Sequence, residues 1–253
     1  MAICPFAQQM PISGSSGAFV GGPFRIVHHT TEGSSRQAAF QAFRANRSDP
    51  HFTVDHEGIY QHIDTGTAAR ALRNLTGGVQ TNKLSAIQIE VVGFAGRLKA
   101  LPTLQNVAQL CRWLEQTHNI PQAWPAGFPK TAINGRDPGG HNRDAATWAA
   151  HGGHYGHSQV PENIHWDPAY TQQEAMFVLT YNPNMAGFSD PAVDALREGI
   201  PEEVDLPEDD ENAIRDHAEV EGSDAEAPPV EGSDAQVPPV EDEQLQSQQE
   251  TPE

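Results

Sequence analysis

Runs of apolar residues along the first 200 positions predict a series of short buried strands. The segment PFRIVHH predicts a strand that ends at two adjacent histidines, and the β-branched SAIQIEVVGF predicts a central strand. Between them, HFTVD and IYQHID are separated by three residues that include a glycine. This spacing is typical of a β-hairpin.

Helical spacing of apolar residues separates these strands. We predict a helix over residues 34–47, an amphipathic helix from Thr103, and a third helix where Thr171 and Glu174 form a capping box. Residues 119–150, rich in Pro and Gly, are predicted to be irregular. Strands mixed with helices in this order predict an α/β domain with a central mixed β-sheet flanked by helices.

The acidic charge of the chain is confined to its C-terminal end. Residues 201–253 hold nineteen acids and one base, Arg215, which accounts for −18 of the net charge of −19. Here VEGSDAEAPP is followed directly by VEGSDAQVPP, and such a repeat buries too little apolar surface to fold. We therefore predict an N-terminal extension over residues 1–22, one folded domain over residues 23–200 and a disordered acidic tail over residues 201–253.

Composition also argues against several classes of protein. The nearly neutral first 200 residues offer no basic surface for nucleic acid, and no run of about 18 apolar residues predicts a membrane span. The N-terminus lacks the charged region of a Sec-type signal peptide, so we expect a cytoplasmic protein, or one exported by another route or by lysis. Cys4 and Cys111 predict two free thiols, and we expect a monomer.

Histidines are concentrated in one segment. Five of the twelve lie between positions 141 and 165, within or beside HGGHYGHSQVPENIHWDP, a glycine-rich stretch predicted to be irregular. A catalytic zinc needs three protein ligands and an open position for water. His28 at the end of the first strand, with His157 and Asp167, could supply two imidazoles and one carboxylate. Each histidine taken alone could equally cap an element, form a hydrogen bond or face solvent.

Four motifs taken together resemble a known family. FRIVHHT, HFTVDHEGIYQHID, SAIQIEVVGF and GHSQVPENIHWDP resemble, in order, the zinc-dependent N-acetylmuramoyl-L-alanine amidases, which include phage lysozyme-type amidases and peptidoglycan recognition proteins. The resemblance covers about residues 24–183. It implies a mixed sheet with a zinc cleft at one edge. It also implies cleavage of the amide between the lactyl group of muramic acid and L-alanine, in peptidoglycan or a muropeptide.

The resemblance also implies roles for individual residues. His28, His157 and Asp167 correspond to the Zn²⁺ ligands, Glu90 to the general base, and His165 to a residue that faces the developing oxyanion. Glu90 is flanked by apolar residues on its strand, which favours a functional carboxylate over a solvated one.

The chain departs from the family pattern at possible substrate contacts. Pro50 stands where many relatives carry an aromatic residue, just before His51, which we predict to contact substrate. Arg70 and Arg73 lie where relatives often show a histidine that lines the cleft. They either bind carboxylates of the peptide or muramate, or are ordinary surface arginines.

Three other interpretations remain. Some proteins of this fold bind peptidoglycan without cutting it, but they generally lack the third metal ligand. His151, His154 and His157 could form a local zinc cluster, although the intervening glycines make a poorly fixed ligand set. A structural or storage metal site would be closed and four-coordinate rather than open.

Overall fold

Six strands form one mixed sheet in the part of the chain that the computed structural model describes, residues 2–183 and 191–207. The strands are β1 (Gln8–Gln9), β2 (Arg25–Thr30), β3 (Phe52–Val54), β4 (Ile59–Gln61), β5 (Ala86–Val91) and β6 (Gly153–Gly156). The helices are α1 (Arg36–Asn46), α2 (Leu101–His118), α3 (Ala145–Ala150), α4 (Gln172–Thr180) and α5 (Pro191–Glu198), with a 3₁₀ helix over His157–Gln159.

The strands are arranged in the order β1-β4-β3-β5-β2-β6. The β3–β4 pair is antiparallel, as expected for a hairpin, and every other neighbouring pair is parallel. The predicted α/β class with a mixed sheet is therefore confirmed. No described helix is both long enough and apolar enough to cross a membrane.

Strand β2 has layers of protein packed on both of its faces, and all six of its residues are buried. Ile26 belongs to the larger apolar core, which also contains α2 and α4, whereas Val27 belongs to a smaller cluster with Trp148 and Tyr155. Because successive side chains of a strand point to opposite faces, His28 faces the α2 layer and His29 faces the other layer.

Two elements formed where the sequence predicted irregular chain. Strand β6 pairs in parallel with β2, and its first and last residues, Gly153 and Gly156, approach neighbouring segments more closely than larger residues could. A Cβ atom on Gly153 would lie 2.6 Å from the carbonyl oxygen of Ala123, and Gly153 has a φ of 133°. Helix α3 is capped by the Asp144 side chain. The glycines of β6 therefore reflect close packing and do not mark a loop.

The helix starts were predicted with mixed success. Thr171 and Glu174 form the expected reciprocal capping box at α4. Helix α2 begins at Leu101, two residues before the predicted start at Thr103, and no side chain caps it. Instead, the carbonyl oxygen of Pro201 accepts a hydrogen bond from the Leu101 N–H at 2.7 Å.

Both ends of the described chain pack more closely on the domain than the sequence suggested. Near the N-terminus, β1 pairs with β4, and Cys4 is buried. At the other end Ile200 is only 6% exposed, and residues 201–207 continue along the domain surface. The rest of the predicted disordered tail, residues 208–253, lies outside the described residues.

Truncation tests where the domain ends. A chain that stops at Gly199 should be less stable by about 1.5–3 kcal/mol, the usual contribution of burying one large aliphatic side chain, because it lacks Ile200 and the Pro201 carbonyl. A chain that stops at Pro207 is the matched control and should unfold like the full chain in urea. Equal stability of the two truncated chains would contradict this boundary.

Candidate metal centre

Three side chains of types that can bind a metal ion meet beside the C-terminal ends of β2 and β6. His29, His157 and Asp167 each offer a donor atom, and these atoms all lie within 4.8 Å of one another. The two Nδ1 atoms are 3.1 Å apart, and His157 Nδ1 is 3.2 Å from Asp167 Oδ1. All three residues are buried. The arrangement offers two imidazole nitrogens and one carboxylate oxygen, a donor set suited to zinc.

Hydrogen bonds from neighbouring segments orient these donors. The Nε2–H of His157 donates to Asn163 Oδ1 at 3.0 Å, so the lone pair of its Nδ1 faces the cluster. Asn163 is in turn held by the backbone N–H and carbonyl of Arg73. Asp167 Oδ2 accepts from the Thr30 N–H at 3.0 Å, which directs Oδ1 toward His157.

Glu90 lies next to the cluster because of strand register. In the parallel β2–β5 pair, His29 is directly opposite Glu90, so both side chains share one face of the sheet. Glu90 Oε1 is 3.8 Å from His29 Nδ1, and the Glu90 side chain is fully buried. The structure thus brings the predicted base to the three donor residues.

His165 lies on the partly exposed side of the cluster. Its ring stacks on that of His157, with 4.9 Å between centroids and 24° between planes. The guanidinium of Arg143 donates to the His165 carbonyl oxygen at 2.7 Å and thereby holds the loop. An open depression next to this loop is lined by residues that include Glu32, Phe94, Arg97, Asn134 and Trp166.

A buried ammonium joins the loop that carries Asp167 to the loop after β5. Lys99 Nζ donates to the carbonyl oxygens of Pro168 at 2.8 Å and Phe94 at 3.2 Å. Burial lowers the pKa of Lys99, and nearby carboxylates that include Glu174 and Asp167 act in the opposite direction. Lys99 therefore connects two otherwise separate segments at the edge of the site.

The structure places His28 away from His157 and Asp167, so the prediction that these three residues form one donor set is wrong. Its Nε2 lies 3.1 Å from His154 Nδ1 on the opposite face of the sheet, where its ring packs on Trp124 and Tyr170. The adjacent His29 takes the place beside His157 and Asp167. Side-chain alternation along β2 is the cause.

The three predicted substrate-binding residues occupy different environments. His51 is fully buried, and both ring nitrogens bond to backbone groups, the Gln88 N–H and the Thr67 carbonyl, so it has a structural position. Arg70 forms an ion pair with Asp49.

The third of these residues is nearer to the cluster. Arg73 adjoins it through its backbone contacts to Asn163. Asn163 itself was not among the predicted residues, and only its place between His157 and Asp167 in the sequence could have suggested a role.

A family model described as N-acetylmuramoyl-L-alanine amidase matches residues 23–170. The chain belongs to this family. Membership indicates an amidase that acts on peptidoglycan, as the resemblance of the four motifs implied.

Solved structures of similar proteins include other amidases. The hydrolase AmiA of Staphylococcus aureus is 16% identical, with 70% of this chain and 83% of that chain covered and a TM-score of 0.46. AmpD is 14% identical, with 70% and 97% covered and a TM-score of 0.48. The amidase LysC of Clostridium intestinale is 16% identical, with 46% and 79% covered and a TM-score of 0.37. A search of curated proteins found no match.

Buried neutral histidines should make the stability of the amidase depend on pH. Burial lowers the pKa of His51 to about 4 and that of His62 to about 4. As pH falls from 6.5 toward 4, the unfolded chain gains protons that the folded chain does not, so stability is lost over this range. Between pH 7 and pH 5, each of these two histidines should lower the free energy of unfolding by about 2 kcal/mol.

Urea unfolding at pH 7 and pH 5 measures this effect. His62→Gln should reduce the pH dependence, whereas His151→Gln, at an exposed position, should leave it as in the wild type. An unchanged dependence in His62→Gln would show that other groups are responsible.

Proposed function

We propose that the chain is a zinc-dependent hydrolase that cleaves the amide between the lactyl group of N-acetylmuramic acid and L-alanine in peptidoglycan stem peptides. One observation carries the proposal: His29, His157 and Asp167 converge in a buried cluster with Glu90 beside them. The membership of the chain in the amidase family supports the reaction class. The ligand set thus includes His29 in place of His28.

The cluster suits zinc in composition and in its supporting contacts. Two neutral imidazoles and one carboxylate are a common ligand set for catalytic zinc and leave a position for water. His157 and Asp167 each have a second hydrogen bond, to Asn163 and to the Thr30 N–H, that orients the donor atom. Zinc bound there would polarise the amide carbonyl and make the attacking water more acidic.

Glu90 is positioned to move the proton during hydrolysis. As the water oxygen bonds to the carbonyl carbon, the Glu90 carboxylate accepts a proton from that water. It then delivers the proton to the amide nitrogen as the carbon–nitrogen bond breaks, which releases the amine of L-alanine. Its full burial keeps the carboxylate away from competing solvent.

His165 is positioned to stabilise negative charge on the carbonyl oxygen. Its ring lies against His157 at the partly exposed side of the cluster, where substrate would enter. An N–H of this ring can donate to the oxyanion as the carbonyl carbon becomes tetrahedral. The depression lined by Arg97 and Trp166 lies next to it and could hold the stem peptide or sugar.

A non-catalytic peptidoglycan-binding module is the competing function. Binding alone needs neither three convergent metal donors nor a buried carboxylate beside them. The chain keeps all four groups, which favours catalysis.

Substitution of the proposed ligand tests the metal assignment. His29→Ala should lose the ion at this cluster and reduce amide hydrolysis of muropeptides by at least about 10²-fold, as removal of a main catalytic group does. The readout is product mass together with metal content. His151→Ala, which changes an exposed histidine of the same histidine-rich region, should retain both. Wild-type turnover in His29→Ala would refute the ligand set.

Substitution of the proposed base tests the proton transfer. Glu90→Gln should retain the metal and the fold but reduce kcat by about 10²–10⁴-fold, because the amide cannot accept the proton. The control is Glu162→Gln, which alters an exposed glutamate in the loop that carries His165. If Glu90→Gln kept near wild-type kcat, the base would have to be another residue.

A further inference from the structure

A second group of metal-binding side chains lies on the opposite face of the sheet. His28 on β2, His154 on β6 and Cys111 on α2 each offer one donor atom, and these atoms lie within 4.8 Å of one another. The His28 Nε2 and His154 Nδ1 atoms are 3.1 Å apart. All three side chains are completely buried. The proposed catalytic reaction uses none of them.

A carboxylate supports this group in the way that carboxylates support metal-bound histidines. The Nε2–H of His154 donates to Glu115 Oε1 at 2.9 Å, so the lone pair of its Nδ1 faces His28. Glu115 in turn forms an ion pair with Arg112, one turn earlier on α2. The rings of Trp124 and Tyr170 pack against His28 and enclose the group.

Hydrogen bonding alone accounts poorly for these residues. A bond between the two imidazoles engages His28 Nε2 and His154 Nδ1 and does not involve the nearby Cys111 thiol. Burying two imidazoles and a thiol costs desolvation free energy, which metal binding by all three donor atoms would offset more fully than a single hydrogen bond.

We propose that His28, Cys111 and His154 form a second metal site that holds a structural Zn²⁺. Two imidazole nitrogens and one sulfur are typical zinc ligands, and the soft sulfur disfavours Mg²⁺ and Ca²⁺. Donor atoms around tetrahedral zinc are about 3.3–3.6 Å apart. The two nitrogens, at 3.1 Å, would move slightly apart, and the sulfur, within 4.8 Å of both, would adjust around the ion.

The charges also balance at this site. Zinc binding displaces the thiol proton of Cys111 to solvent, and the zinc–thiolate unit then carries one net positive charge. Glu115 supplies a negative charge next to His154. The ion would connect β2, β6 and α2, so it would fasten the main helix to the central strands. Three protein ligands leave a fourth position for one water enclosed with the ion, and because the three side chains are closed to bulk solvent the role of the site would be structural.

Cobalt loading of the full chain tests this site directly. Only this site contains sulfur, so Co²⁺ bound here should give a thiolate-to-cobalt charge-transfer absorption that the site at His29 cannot give. After a chelator has removed any bound metal, the protein should take up two Co²⁺ or Zn²⁺ ions per chain. Saturation at one ion without the thiolate absorption would overturn the proposal, and this outcome requires no substitution.

Substitutions distinguish metal binding at the Cys111 site from metal binding at the His29 site. Cys111→Ser should lose the thiolate absorption and one ion, whereas Cys4→Ser, at the other buried free cysteine, should keep both. His29→Ala should lose one ion and keep the absorption, so failure of the proposed catalytic site would not be confused with failure of this one. Persistence of the absorption in Cys111→Ser, with the fold verified by circular dichroism, would exclude the assignment.

Discussion

The alternation of side chains along one strand with two buried faces determines where the chemistry of this domain lies. His28 and His29 are neighbours in the chain, yet the strand directs them into different layers. The same rule places Glu90 with His29 and Ile89 with the apolar core. A shift of β2 by one residue relative to its neighbours would exchange the two histidines and separate the base from the metal ligands.

Parts of the chain that are far apart in sequence hold the site in shape. The His157 ring depends on Asn163, which depends on the backbone of Arg73 some ninety residues earlier. Asp167 depends on a backbone N–H of β2, and Lys99 connects its loop to the end of β5. Most of these contacts end on backbone atoms, so they need the fold and not particular partner side chains. The orientation of the donor atoms is therefore set by the fold itself.

The sequence predicted the elements whose patterns report directly on burial. The strands around Ile26 and Ile87, the hairpin and the α4 capping box all have strong local signals. Strand β6 was missed because its end residues are glycines, which here pack against Ala123 and Pro168, and sequence alone does not distinguish glycines in tight packing from glycines in a loop.

The choice between His28 and His29 could not be made from local pattern. A strand that is buried on both faces shows no alternation of apolar and polar residues, so nothing in RIVHHT marks which histidine faces which layer. Glu90, His157, Asp167 and His165 were placed by their motifs, and the structure brings them together. His51 was misassigned because a histidine bonded to two backbone groups resembles a functional one in sequence.

The depression beside the cluster has an electrostatic consequence. Trp166, which stands between His165 and Asp167 in the sequence, lines it together with Phe94 and Pro207. Glu32 and Arg97 also line it, so this depression contains one carboxylate and one guanidinium. A ligand with free carboxylates therefore meets attraction from Arg97 and repulsion from Glu32 there, and dissolved salt weakens both interactions.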